Sequence, residues 1–242
     1  MAKFLFRVVV ILVLAAGALL AYGLLLPTGP TQEKLVQLKP GSSARHIAAE
    51  LKSAGIIRNQ YAFMAWHYLH HKPLKAGEYA FDHPASAREV YDRIARGDIY
   101  FQTLVVPEGF NMFDIATAIE EAQLGKRDDF LKVARTDTAL VRDLDPQAPS
   151  LEGYLFPDTY HFTRTQSLHD MAAAMVRRFR QAAKDMGLNQ NFHAVVTMAS
   201  IVEKETGAPE ERPEVASVFY NRLDKHMVLA TDPSVIYAAL LN

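Results

Sequence analysis

Residues Ala194–Thr206 read AVVTMASIVEKET, and the spacing of their apolar side chains predicts a helix with one face turned to a core. At about 100° per residue, Ala194, Val195, Met198, Ala199, Ile201 and Val202 share one broad arc, while Thr197, Ser200 and Lys204 take the opposite side. Glu205 falls inside the apolar arc and Glu203 at its edge. A carboxyl group carried toward an apolar core loses hydration, which disfavours its charged form. A glutamic acid still protonated near neutral pH can donate a proton to a leaving group, as glycosidic bond cleavage requires. A plainer reading of the same pattern stays open. A glutamate at a helix end can reach solvent from the apolar side, or pair with an arginine.

Working outward, the chain of 242 residues is half hydrophobic with a formal net charge of -1, enough for one large domain or two small ones. It has no basic block interleaved with aromatics, so nucleic acid is not an expected partner. The absence of cysteine excludes disulfides, cysteine-ligated zinc and thiol catalysis. From Phe4 to Leu26 the only charge is Arg7, and a bilayer core needs roughly 20 apolar residues in a helix. Lys3 and Arg7 lie at its N-terminal side, which keeps the N-terminus cytoplasmic and places the remainder across the membrane. A cleaved export signal is the other reading. The length of the stretch and its poor small-x-small cleavage site favour an uncleaved anchor. Pro27-Thr28-Gly29-Pro30 then forms a stiff spacer.

Beyond the spacer, a strand, a Pro/Gly turn and a helix occur twice. Leu35–Leu38, Pro40-Gly41 and Ser43–Ala54 make the first instance; Gln102–Val106, Pro107-Glu108-Gly109 and Met112–Ala122 make the second. Between them Tyr61–His70 reads as a helix, Gly77–Phe81 as a strand and Ala87–Ala95 as an amphipathic helix stopped by Gly97. Such a strand-helix-helix-strand unit resembles LysM modules, which bind N-acetylglucosamine-containing glycans; an ordinary α+β scaffold has the same outline. His67, His70 and His71 read as surface histidines, because no cysteine is near and Lys72 and Lys75 would repel a cation. Asp128–Val141 is expected to be helical. The polar loop Asp143–Ser150 offers a boundary, giving an anchor (1–26), a linker (27–34), a LysM-like region (35–149) and a catalytic domain (150–242).

Three segments of the C-terminal part place polar groups in apolar sequence. EGYLFPDTY, Glu152–Tyr160, groups Tyr154, Phe156 and Tyr160 around Pro157 with the carboxylates Glu152 and Asp158, a composition suited to stacking on sugar rings or to a buried aromatic turn. The second segment ends in Glu205. The third comprises VASVFYNRL, Val215–Leu223, with TDPSVIY, Thr231–Tyr237, whose Asp232-Pro233 is a helix start. Together with LKPG (38–41), KAGEY (75–79) and VPEG (106–109), MASIVEKET and these segments resemble the endolytic murein transglycosylase, or YceG-like, family along nearly the whole chain.

The resemblance implies an α+β fold with one transmembrane helix, a LysM-like subdomain and a mixed catalytic domain. It implies an inner-membrane lyase, with its bulk in the periplasm, that cuts nascent peptidoglycan strands at the β-1,4 bond between N-acetylmuramic acid and N-acetylglucosamine, leaving 1,6-anhydro ends. It puts the catalytic carboxyl at Glu205, with Glu203 the less favoured candidate, and implies neither metal nor organic cofactor. Glu152, Asn221 and Asp232 are then expected to bind substrate or support Glu205, Asp158 to bind substrate, and Tyr154 and Tyr237 to contact sugar. Penicillin-binding proteins that polymerise the strands are expected partners. The family's YNTY-type motif and GLPPGPI-type loop do not occur before Asn242, so the catalytic domain is expected to be incomplete. A non-catalytic, membrane-anchored glycan-binding scaffold for wall synthesis is the alternative function.

Overall fold

The computed structural model describes residues 1–241. The chain forms two compact units, Met1–Phe101 and Gln102 onward. Both are mixed α+β, each built around a two-stranded antiparallel sheet.

The first unit begins with α1 (Ala2–Leu25), an apolar helix long enough to cross a membrane. Its 24 residues rise about 36 Å. There follow β1 (Lys34–Leu38), α2 (Ala44–Ser53), α3 (Gln60–His70), β2 (Gly77–Phe81) and α4 (Ala87–Arg96). β1 pairs with β2 in the register Leu38↔Gly77 to Lys34↔Phe81. Leu38, Leu51, Phe63, Tyr79, Tyr91 and Ile94 are fully enclosed between this ribbon and the helices. Burial pushes the Tyr79 phenol up to about 12, and its hydroxyl instead donates to the Lys75 carbonyl at 2.8 Å. The expected spacer is not free chain. Thr28 N–H donates to Ala85 O at 2.9 Å and Ala85 N–H returns to Thr28 O at 3.2 Å, tying the linker to the loop before α4.

Helix starts follow their capping chemistry. Ser86 caps α4: its hydroxyl accepts from Glu89 N–H at 3.2 Å, and the Glu89 carboxylate accepts from Ser86 N–H at 2.8 Å. Ser86→Ala should therefore cost about 1 kcal/mol, read as a lower urea midpoint with an unchanged slope.

The second unit contains β3 (Gln102–Val106), α5 (Met112–Glu121), α6 (Arg127–Thr136), β4 (Asp158–Phe162), α7 (Leu168–Asp185), α8 (Phe192–Glu205), α9 (Arg212–Asp224) and α10 (Asp232–Leu241). β3 pairs with β4, Gln102↔Phe162 to Val106↔Asp158. The repeat is thus fuller than the sequence displayed, because each unit runs strand, helix, helix, returning strand, helix. At both Pro/Gly turns the glycine adopts positive φ, +78° at Gly41 and +75° at Gly109, where a side chain would be strained. Asp158–Tyr160, read as part of an aromatic turn, opens the returning strand. Alternation explains it: Tyr160 and Phe162 point inward and Thr159 and His161 outward. The helix expected over Asp128–Val141 ends at Thr136 and gives way to a short 3₁₀ turn, Thr138–Leu140. The loop 143–150, expected as a boundary, lies within this unit, and Leu151 N–H donates to Ala134 O at 2.7 Å immediately after it.

Candidate active site

α8 forms where its periodicity places it, but it is buried along a narrower stripe than the sequence arc. Phe192, Met198 and Val202 are buried and Val196 and Ile201 partly so, whereas Ala194, Val195 and Ala199 are exposed. Met198 and Val202 pack on Phe219 of α9, with Ile201, Val215, Ala216 and Leu229 around them. This cluster is small, and it does not reach the last helical turn.

Glu205 is the last residue of α8 and its side chain is exposed. The shelter that periodicity predicted is absent. The helix stops at Thr206, which turns to extended backbone (φ -137°, ψ 136°) and carries the chain away before anything can cover the carboxyl. Glu205 is nevertheless held. The buried Thr231 donates its hydroxyl to Glu205 Oε2 at 3.2 Å. Thr206 anchors the turn by donating to Glu211 Oε2 at 2.7 Å and accepting from Ala208 N–H at 3.1 Å.

Glu203 sits in a different setting. Arg212 Nη2 lies 3.0 Å from its Oε2 and 3.8 Å from Oε2 of Glu108. The turn at Gly109 is close by, since a Cβ placed there would lie 3.6 Å from Glu203 Oε1. Glu203 is thus occupied by an arginine, while Glu205 keeps one carboxylate oxygen open. Arg212 escaped the sequence reading. Its signal would have been an arginine directly before Pro213 at a helix start, facing back toward an acidic pair.

The other expected residues are distributed as follows. Glu152 Oε2 accepts from Met112 N–H, at the positive end of α5, at 3.0 Å and from the Tyr237 hydroxyl at 2.6 Å. This carboxylate joins α5 to α10. Burial first, and then the hydrogen bond to Glu152, raise the Tyr237 phenol above its ordinary value, so it stays a donor. Thr231 and Tyr237 therefore place Glu205 and Glu152 along one segment, the start and second turn of α10, about 9 Å of helix rise apart. Asp232 is exposed at the first turn of α10 and Asn221 is exposed on α9.

Two of the expected site residues already have partners. Tyr154 is 3% exposed and cannot stack on a sugar. Its hydroxyl donates to Asp145 Oδ2 at 2.7 Å and its ring meets Phe179 edge-on at 5.1 Å, so the EGYLF stretch turns this aromatic into the core. Asp158 is not a free carboxylate: Arg178 Nε donates to it at 2.5 Å. That hydrogen bond, with Thr159 N–H at 2.7 Å, holds the Asp158 carboxyl below the usual range.

This arrangement offers an accessible carboxylate at the end of a helix, which accepts from Thr231 and, among the described residues, makes no ion pair. The sequence model of the YceG-like family matches residues 36–241. The chain belongs to the YceG-like family. It is similar to the endolytic murein transglycosylase of Bacillus subtilis (strain 168), with 32% identity over 229 residues, covering 84% of this chain and 62% of that protein. It is similar to the endolytic murein transglycosylase of Streptococcus pneumoniae (serotype 2, strain D39 / NCTC 7466) at 32% identity over 250 residues, covering 88% of this chain and 45% of that protein. The chain thus spans less than two thirds of the length of either curated relative. Among solved structures it resembles a YceG-like protein of Listeria monocytogenes at 29% identity and a TM-score of 0.50, covering 87% of this chain and 76% of that one.

Proposed function

We propose that this YceG-like chain is a membrane-anchored lytic transglycosylase that cuts peptidoglycan strands internally, with Glu205 as its single acid and base. The observation that carries the reading is the contrast between the two glutamates of the EKE triplet. Glu203 is paired with Arg212, whereas among the described residues Glu205 accepts from the neutral hydroxyl of Thr231.

The chemistry needs one carboxyl used twice. Protonated Glu205 gives its proton to the glycosidic oxygen between N-acetylmuramic acid and N-acetylglucosamine as the C1–O bond breaks. The carboxylate so formed takes the proton of the muramic C6 hydroxyl, whose oxygen closes on C1. The products are a free 4-hydroxyl on N-acetylglucosamine and a 1,6-anhydro-muramic end, and no water is consumed. A hydrolase would instead need a second carboxyl roughly 5–9.5 Å from the first. Because Glu205 is exposed, the bound glycan itself must exclude water from the reacting carboxyl. Thr231 holds Oε2 and leaves Oε1 to meet the glycosidic oxygen. Exposed Asn221 and Asp232 are proposed to bind sugar hydroxyls. Glu152 and Tyr237 support the site by fixing α10, and so Thr231.

In this reading α1 anchors the chain in the inner membrane with Lys3 and Arg7 on the cytoplasmic side, the first unit is a LysM-like glycan-binding module, and polymerising penicillin-binding proteins supply the strands. The test is incubation of the detergent-solubilised full chain with purified peptidoglycan, followed by mass spectrometry of the soluble products. Anhydro-muropeptides released from within strands support the proposal. Binding without cleavage would favour a non-catalytic scaffold.

A further inference from the structure

Within the first unit, the end of α1 is docked on the start of α3. Gly23 is buried, and a Cβ there would lie 2.7 Å from Asn59 Cβ and 3.3 Å from Ala62 Cβ, so the helices meet closely. Arg58 pins the junction. Its Nη1 donates to the Tyr22 hydroxyl at 3.0 Å, its Nε donates to Thr28 Oγ1 at 3.1 Å, and its guanidinium sits 5.1 Å from the Tyr22 ring centre. Gly23 is two residues from the end of α1, about 3 Å of rise. α3 therefore begins at the level where the apolar helix would leave a bilayer.

The outward face of α3 is unusual for a water-facing helix. Tyr61, Ala65, Tyr68 and Leu69 lie within about 100° of one another around the axis. Tyr61 and Tyr68 are each 64% exposed and Leu69 is 74% exposed. Phe63 and the partly buried Trp66 face the core instead. Ala62, which touches Gly23, borders the stripe, so α1 runs beside it. The chain on either side of α3 carries charge of one sign, and Lys72 pairs with Asp92 of α4 at 3.4 Å. No Asp or Glu occurs between Glu50 and Glu78, while Lys52, Arg58, Lys72 and Lys75 do, together with His67, His70 and His71. Exposed Tyr and Leu on one helix face, flanking cations and no carboxylate on the helix itself are the chemistry of a helix resting in the headgroup layer of an anionic bilayer.

We propose that α3 is a second membrane contact, with its Tyr61–Tyr68–Leu69 stripe seated in the headgroup region of the bilayer that α1 crosses. The proposal rests on the anchor reading of α1 given above. Its consequence is a first unit held at two points, and so in a fixed attitude to the membrane surface. A sugar chain stacked on the two tyrosines is the rival occupant. It is disfavoured because α3 offers no carboxylate to accept sugar hydroxyls and because the stripe runs on from an apolar helix.

Trp66, the sole tryptophan, lies on α3 and reports on it alone. The full chain is reconstituted into phosphatidylglycerol/phosphatidylcholine vesicles whose acyl chains carry bromine near the headgroup. Bromolipid should quench Trp66 emission relative to unbrominated vesicles, and more strongly as the phosphatidylglycerol fraction rises. The triple variant Y61S/Y68S/L69S should lose most of that quenching while still floating with the vesicles and keeping its circular dichroism. Equal quenching in the variant, or none in the parent, would overturn the proposal. So would protection of Trp66 from acrylamide by chitin oligomers in detergent, because the stripe would then be a sugar platform. Loss of flotation of the parent chain would instead overturn the anchor, and the proposal with it.

Discussion

Glu205→Gln is expected to lower anhydro-muropeptide release at least about a hundredfold, the scale of a lost general acid and base. The amide has the same shape, yet it can neither give the proton that the leaving oxygen needs nor take the one from the C6 hydroxyl. Stability should change by less than about 0.5 kcal/mol, because the side chain is exposed and loses only part of one hydrogen bond, from Thr231. Glu203→Gln is the matched control. It removes an ion pair with Arg212 between side chains that are both roughly a third exposed, so most cleavage should survive. The readouts are product yield by mass spectrometry and the thermal midpoint of each variant. Survival of cleavage in E205Q with its loss in E203Q would exchange the roles of the two glutamates.

The largest effect on stability is expected at Asp145. It is buried, and its carboxylate accepts from the Tyr154 hydroxyl at 2.7 Å, His193 Nδ1 at 2.8 Å and Gln147 N–H at 3.0 Å. Asp145→Ala leaves the Tyr154 hydroxyl enclosed without its partner and should cost about 3 kcal/mol. Tyr154→Phe should cost less, and the double variant less than the sum of the two, since both delete one network. Burial pushes the Asp145 carboxyl up, but the hydrogen bonds from Tyr154, His193 and Gln147 outweigh it and the net shift is downward. A carboxyl held low in the folded state stabilises it above the ordinary value of 3.8 and loses that contribution as pH falls through the lower folded value. The melting temperature of the parent should therefore drop steeply on acidification below about pH 4, and that of D145A less so. If Y154F leaves the urea midpoint unchanged and weakens glycan binding, Tyr154 contacts sugar after all.

The regular elements were legible because their signals are local. Gln102–Val106 alternates, Gly77–Phe81 is a short run buried along its whole length, and Ser43, Ser86 and Asn111 accept hydrogen bonds from the first turns of their helices. β4 was missed because Tyr160 and Phe162 are drawn inward by pairing with β3, a contact 58 residues away in sequence at Thr103 and His161. The setting of the proposed site residues was not legible. Periodicity put Glu205 among apolar neighbours, and the helix does turn it that way. What periodicity cannot show is how far the packing reaches along the axis. Here it ends at Val202, one turn short. The partners of the glutamates come from elsewhere in the chain. Thr231 lies 26 residues beyond Glu205, and Tyr237 lies 85 residues beyond Glu152. Aromatic-carboxylate composition alone could not separate Tyr154, which the fold buries, from residues left at the surface.

The central claim is that one carboxyl closes the sugar ring on itself, so water never enters the product. Digesting peptidoglycan with the full chain in ¹⁸O-enriched water and weighing the new ends tests this directly. Muramic ends lighter by one water than reducing ends, and free of the heavy isotope, are the predicted result. Reducing ends carrying ¹⁸O would contradict it and make the protein a hydrolase with a second, water-activating carboxyl.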